Sequence, residues 1–173
     1  MDVDHPGRRL SSNRDLTAVL QRSRTIVIVG ASYLMTEPAY FVPEYLKTLG
    51  YRILPVSPLG GEILGEPVYR SLAEIPGPVD IVCVFRLLML AEAGVLDAVA
   101  LGAEVLWYQP GTDSEPATRL AIGAGLSVVT GRCIGGTHAD LGLGPAARAP
   151  AARPKRQCDK HRPHRPRPAG AHG

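Results

Sequence analysis

Apolar residues in this chain gather in short blocks separated by longer periodic stretches. The blocks are Thr25–Val29, Tyr51–Val56, Val79–Phe85, Glu104–Tyr108 and Leu126–Thr130. Together they are rich in β-branched residues and nearly continuous in apolarity. Strands of a parallel sheet covered on both faces have this character. Between the blocks the period becomes helical. Ala39, Val42, Tyr45, Leu46 and Leu49 share one face of a helix over Ala39–Leu49, which Gly50 ends. Leu87–Leu101 reads as a largely buried helix stopped by Gly102, and Asp113–Gly123 as a helix capped near Asp113 or Ser114. A shorter helix is predicted over Asn13–Arg22, with Ser12 as its N-cap. Gly60, Gly61 and Gly65 mark a loop, followed by a short turn or helix at Ser71–Ile75.

Strand–helix alternation with right-handed crossovers predicts an α/β fold: a doubly wound, five-stranded parallel sheet in a three-layer αβα arrangement. The domain is expected over residues 13–143, behind a flexible lead at 1–12. Pro43 lies a turn into the proposed second helix, removes an amide donor and disfavours helical geometry at Val42. That helix is expected either to start at Pro43 or to bend there.

Composition changes the picture at one end. The chain carries +3 net, but eight of its 19 Lys/Arg and one of its 16 Asp/Glu lie from Gly144 onward. The body is therefore acidic and the tail strongly basic. Residues 144–173 are rich in Ala, Pro, Arg and His and offer little apolar surface, so a disordered tail is expected. Such a tail can touch phosphates, but no aromatic residues interleave with its charges, and a nucleic-acid partner is not expected. Neither a secretory core near the N-terminus nor a membrane-length apolar run is present. Cys83, Cys133 and Cys158 are widely spaced, without zinc-type or disulfide-framework patterning. A cytoplasmic protein is expected.

Candidate chemistry follows from the topology, because open α/β sheets bind ligands beyond the carboxyl ends of their strands, where strand order reverses. Strand one ends in Gly30, Ala31 and Ser32. Gly30 lets the backbone turn and approach a phosphate, and Ser32 offers a hydroxyl. The N-terminus of the next helix, near Pro38, Ala39 and Tyr40, adds partial positive charge. An ordinary tight turn reads the same way, and the three-glycine dinucleotide fingerprint is absent. Strand two ends in Pro55, Val56, Ser57 and Pro58, where an NAD-binding protein would carry an acid. The prolines either shape an adenosine slot or simply terminate the strand. Phe85 and Arg86 follow strand three, and Arg86 is placed for a phosphate or pyrophosphate. Gln109, Pro110 and Gly111 follow strand four. Arg132 is a second phosphate candidate, and Cys133 beside it is either an activated thiol or an inert one. Cys83 belongs in the core, and His138 reads as structural or solvent-facing. No catalytic set is apparent at these edges, so the pattern is one of binding.

VIVGAS, EYLKTLGYRILPVSP, EILGEPVYRSLAEIPGPVDIVCVFR, LGAEVLWYQPG and AGLSVVTGRC, in that order, resemble bacterial CoA-binding proteins of the succinyl-CoA synthetase alpha-subunit N-terminal type. The resemblance covers roughly Arg14 to Leu143. It implies a Rossmann-like domain that binds coenzyme A. Phosphates would lie at Gly30, Ala31 and Ser32, adenosine at Pro55, Ser57 and Pro58, and the rest of the cleft at Phe85 and Arg86. Two departures stand out. The loop Tyr33–Pro38 holds no basic residue and adds Glu37, and Gly131 precedes Arg132-Cys133 where the family tends to have aspartate. The phosphohistidine domain of the related ligases lies beyond the region of resemblance. Non-catalytic binding of CoA or acyl-CoA is therefore expected. The alternatives are a short NAD(P)-binding protein and a CoA-binding subunit acting in trans with an acyl-CoA synthetase or acetyltransferase, with an unidentified protein partner.

Overall fold

The computed structural model describes residues 7–86 and 92–146. Five parallel strands form its main sheet: β1 (Thr25–Val29), β2 (Arg52–Val56), β5 (Ile81–Val84), β6 (Val105–Tyr108) and β7 (Ser127–Val129), in the spatial order β2-β1-β5-β6-β7. This is the doubly wound, Rossmann-like α/β architecture. The chain leaves β1 in one direction for β2 and returns past β1 to β5, so strand order reverses between β1 and β5.

Side-chain alternation along these strands builds two cores. Ile26, Ile28, Ile81, Cys83, Val105 and Trp107 face one layer, formed by α1 (Asn13–Arg22), α2 (Pro38–Thr48) and α5 (Ile134–Asp140). Val27, Val29, Val82, Val84, Leu106 and Tyr108 face the other, which holds α3 (Glu92–Ala100), α4 (Glu115–Gly123) and the 3₁₀ turn Leu72–Glu74. A strand buried on both faces needs apolar residues in both phases of its pleat, which is why its sequence does not alternate. The predicted start of the helix after β5, residues 87–91, lies outside the described residues, as does most of the basic tail.

Local chemistry sets the ends of the elements. Ser12 Oγ accepts the Asp15 amide at 3.1 Å and caps α1, and Ser114 caps α4. Asp80 Oδ2 accepts the amides of Arg24 and Thr25 at 2.7 and 2.8 Å, tying the entry of β1 to the segment before β5. Pro55 stands in the edge strand β2 with its carbonyl turned outward to the Tyr69 amide at 3.0 Å. Its missing N–H therefore faces away from β1 and costs the main ladder nothing.

Three features differ from the sequence reading. The glycine loop contains a small antiparallel pair, β3 (Glu62–Ile63) with β4 (Glu66–Pro67). A seventh-strand neighbour appears in the lead: Arg9 bridges Val128 in parallel, and Leu10 is buried. Helix α5 forms where no helix was expected. Among the described residues, no helix is long and apolar enough to cross a membrane.

Candidate functional site

The β1 and β5 strands end level with one another. Val29 is in register with Val56 on one side and Val84 on the other. The chain beyond each strand therefore opens at one edge of the sheet. Gly30 and Ala31 both donate to Val56 O, at 3.1 and 3.2 Å, which folds the β1 exit across the end of β2. Gly30 has φ +82, and a Cβ there would lie 2.8 Å from both Cβ and Cγ of Arg86. Glycine is required at this position for two reasons: the left-handed backbone and the arginine packed directly over it.

Arg86 crosses the crevice and pairs with Glu37, Nη2 to Oε2, at 3.1 Å. The pair stands between two clefts and lines both. One, about 390 Å³, lies over the ends of β1 and β2 and is lined by Ala31, Ser32, Tyr33, Ser57, Pro58 and Leu59. The other, about 540 Å³, lies between the start of α2 and the ends of β5 and β6. Its walls are Pro38, Phe41, Val42, Phe85, Pro110 and Cys133, with Gln109 and Thr112 as the polar members.

The smaller cleft is braced by its own loops. Tyr33 donates its hydroxyl to Gly60 O, joining the loop after β1 to the loop after β2. Ser32 Oγ accepts the Leu34 amide at 3.1 Å, and Ser57 Oγ accepts the Leu59 amide at 3.4 Å. Both serines are buried. Each hydroxyl is thus oriented by a turn while its proton is left to donate. The Ser32 amide donates to Ala39 O in α2 at 3.2 Å.

In the larger cleft, Gln109 is buried and its Nε2 donates to Cys83 Sγ at 3.2 Å. Burial pushes the Cys83 thiol up to about 12, so it stays protonated in the core. Thr112 Oγ1 lies 2.9 Å from Val84 O and 2.8 Å from Gln109 O, fixing the loop after β6.

The fold thus brings together Ala31, Ser32, Pro38, Ser57, Pro58, Phe85, Arg86 and Cys133, with Gly30 beneath Arg86. Other candidates stand elsewhere. Pro55 and Val56 are buried in β2 and line neither cleft, although the Val56 carbonyl holds the β1 turn. The Tyr40 amide is taken by Glu37 O at 2.9 Å, and Tyr40 borders a separate surface hollow with Glu44 and Lys47. Arg132 Nη2 donates to Ser11 O at 3.3 Å, and its carbonyl accepts Trp107 Nε1 at 2.8 Å. His138 is fully buried against Tyr45 and Tyr51, and burial holds it below the usual histidine range. Sequence reasoning missed Glu37 as the partner of Arg86 and missed Phe41 and Val42 as cleft walls. The first turn of a helix that follows β1 was the available signal for both.

Residues 24–139 match the CoA binding domain family. The chain belongs to that family. Its relatives include the Bacillus subtilis (strain 168) protein YneT, 34% identical over 128 residues that make up 74% of this chain and 95% of YneT. Among solved structures, a hypothetical protein from Pyrococcus horikoshii OT3 is 33% identical with a TM-score of 0.72, over 82% of this chain and 96% of that one. Cell-free ID.343 from Thermus thermophilus is 34% identical with a TM-score of 0.71, over 76% and 99%. The matched region takes in both clefts and the Glu37–Arg86 pair.

Proposed function

We propose that this CoA-binding-domain protein holds CoA or acyl-CoA across the β1/β5 crevice without transforming it. The observation that carries the reading is the pair of adjoining clefts meeting at Arg86. CoA is a long ligand with chemically distinct ends. The smaller cleft, with two oriented serine hydroxyls and the β2 exit, suits the adenosine end. The larger cleft, walled by proline, phenylalanine and valine, suits the pantetheine arm and its thioester. Arg86 at the junction suits the pyrophosphate between them.

The cleft chemistry favours binding over catalysis. Glu37 is the carboxylate facing the junction, and it is committed to Arg86. Cys133 presents a free thiol on the wall of the larger cleft, and among the described residues that line this cleft there is no histidine or lysine to serve it as a base. Among the described residues no three His, Cys, Asp or Glu side chains are grouped to hold a metal.

Thermal unfolding of the full chain with CoA, acetyl-CoA, NAD and NADP tests the reading. A ligand at about 100 times its Kd stabilises by about 2.7 kcal/mol, several degrees for a domain of this size. Stabilisation by the CoA compounds is expected. Stabilisation by NAD or NADP alone would replace the reading with a dinucleotide-binding one, for which Ser57 stands where an acid would hold the ribose.

A further inference from the structure

CoA differs from most adenine nucleotides in carrying a phosphate on the ribose 3′-oxygen, and a site that selects CoA must read that group. The loops around the smaller cleft hold no cation for it. Tyr33–Pro38 contains none, and Ser57–Gly61 contains none. Arg86, at the junction, faces the pyrophosphate position and already carries Glu37.

A cation does stand on the outer side of this cleft. The segment ending in Arg70 runs parallel to β2 along its free edge: Val56 bridges Tyr69, and the Ser57 amide donates to Tyr69 O at 2.9 Å. Arg70 therefore emerges at the same carboxyl edge of the sheet as Ser57. Its Nη1 donates to Pro58 O at 3.2 Å. Its guanidinium lies against Gly60, where an added Cβ would sit 3.2 Å from Nη2 and 3.3 Å from Nε. The side chain is thus held against the wall formed by Pro58, Leu59 and Gly60. Among the described residues it forms no ion pair. The neighbouring Glu74 carboxylate accepts the Arg70 backbone amide at 3.0 Å instead. One exposed guanidinium, anchored by one of its nitrogens, leaves its remaining donors for a doubly charged phosphate.

We propose that Arg70 is the specificity residue that reads the ribose 3′-phosphate of CoA, from the strand edge beyond β2. The inference rests on the CoA reading above. A cation beyond the second strand serves a 3′-phosphate as an arginine near that strand serves the 2′-phosphate in NADP-binding folds.

The test is titration calorimetry of the full chain with CoA and with 3′-dephospho-CoA, for the wild type, Arg70→Gln and Arg70→Lys. The wild type is expected to favour CoA by about tenfold or more, the usual worth of a charge-assisted contact. Arg70→Gln should bring the two ligands to within about twofold of each other, leaving 3′-dephospho-CoA binding as it was, while Arg70→Lys restores part of the preference. A preference that survives in Arg70→Gln overturns the assignment. So does an equal loss of both ligands, or a wild type that binds both equally. If the wild type binds neither ligand, the CoA reading itself fails, and this inference goes with it.

Discussion

The amide of Ser32 donates to the carbonyl of Ala39 at 3.2 Å, and that carbonyl is the one Pro43 deprives of its helical donor. In an unbroken helix residue 43 would donate to residue 39. Proline cannot, so α2 runs through Pro43 with one acceptor released, and the loop after β1 takes it. A residue that looked like a helix defect ties the smaller cleft to the larger one. Replacing it restores a competing donor. Pro43→Ala is expected to speed hydrogen exchange of the Ser32 amide while the fold is retained. Unchanged protection at Ser32 would show that the loop is held by its other contacts.

Arg86 and Glu37 should respond oppositely to truncation. Arg86→Ala removes the cation at the cleft junction and is expected to weaken CoA binding by about 1.5–3 kcal/mol. Glu37→Gln removes an acid that competes with the ligand for Arg86. The pair is exposed, and such pairs are worth no more than about 1 kcal/mol, so the gain should be modest, about two- to fivefold tighter. Titration calorimetry of both variants decides. Weaker binding in Glu37→Gln would mean that Glu37 orients Arg86 instead of opposing the ligand.

The strand ends were legible because a buried parallel strand announces itself by continuous apolarity, and topology then dictates which edge binds. Ala31, Ser32, Ser57, Pro58, Phe85 and Arg86, read from the sequence as strand-end positions, line the two clefts at that edge. What an arginine pairs with was not legible, since Glu37 and Arg86 belong to different crossovers and meet only when β1 and β5 align. Helix α5 was missed for a related reason. Its sequence, Ile-Gly-Gly-Thr-His-Ala-Asp, is poor in helix formers. The helix is instead consistent with packing: Ile134 and His138 are buried, and at Gly135 an added Cβ would come 3.0 Å from Val42 Cγ1. Here the glycine admits a close helix–helix approach, and local propensity is overridden. The lead at Arg8–Leu10 was likewise read as unstructured, because three residues laid beside β7 leave no periodic trace.

Gly30 should be the least replaceable glycine of the site. Gly30→Ala forces a side chain onto φ +82 and onto the Cβ and Cγ of Arg86, atoms too close to the backbone to swing away. A loss of about 1–3 kcal/mol in stability is expected, together with weaker CoA binding as Arg86 is displaced. Gly61→Ala provides the comparison. It shares a positive φ, +83, but its added Cβ meets nothing within 4 Å. Denaturant unfolding should show a smaller loss there, and calorimetry little change in affinity. Equal effects of the two substitutions would mean that backbone strain alone matters at Gly30.

Alkaline stability should carry the signature of Cys83. Its thiol is fully buried between β1 and β6, and burial raises it from an ordinary 9.0 to about 12. In the unfolded chain the thiol loses its proton near its ordinary value, whereas in the fold it keeps it. Between those two values the native state binds the extra proton, so stability is fully present below about pH 9 and falls as pH rises toward 12. The slope contributed by this one group is about 1.4 kcal/mol per pH unit. Urea unfolding across pH 8–11 should therefore fall more steeply for the wild type than for Cys83→Ala, which is less stable at neutral pH from the cavity it leaves but lacks this titration. Parallel pH profiles for the two proteins would show that water reaches Cys83 and that the thiolate is tolerated in the core.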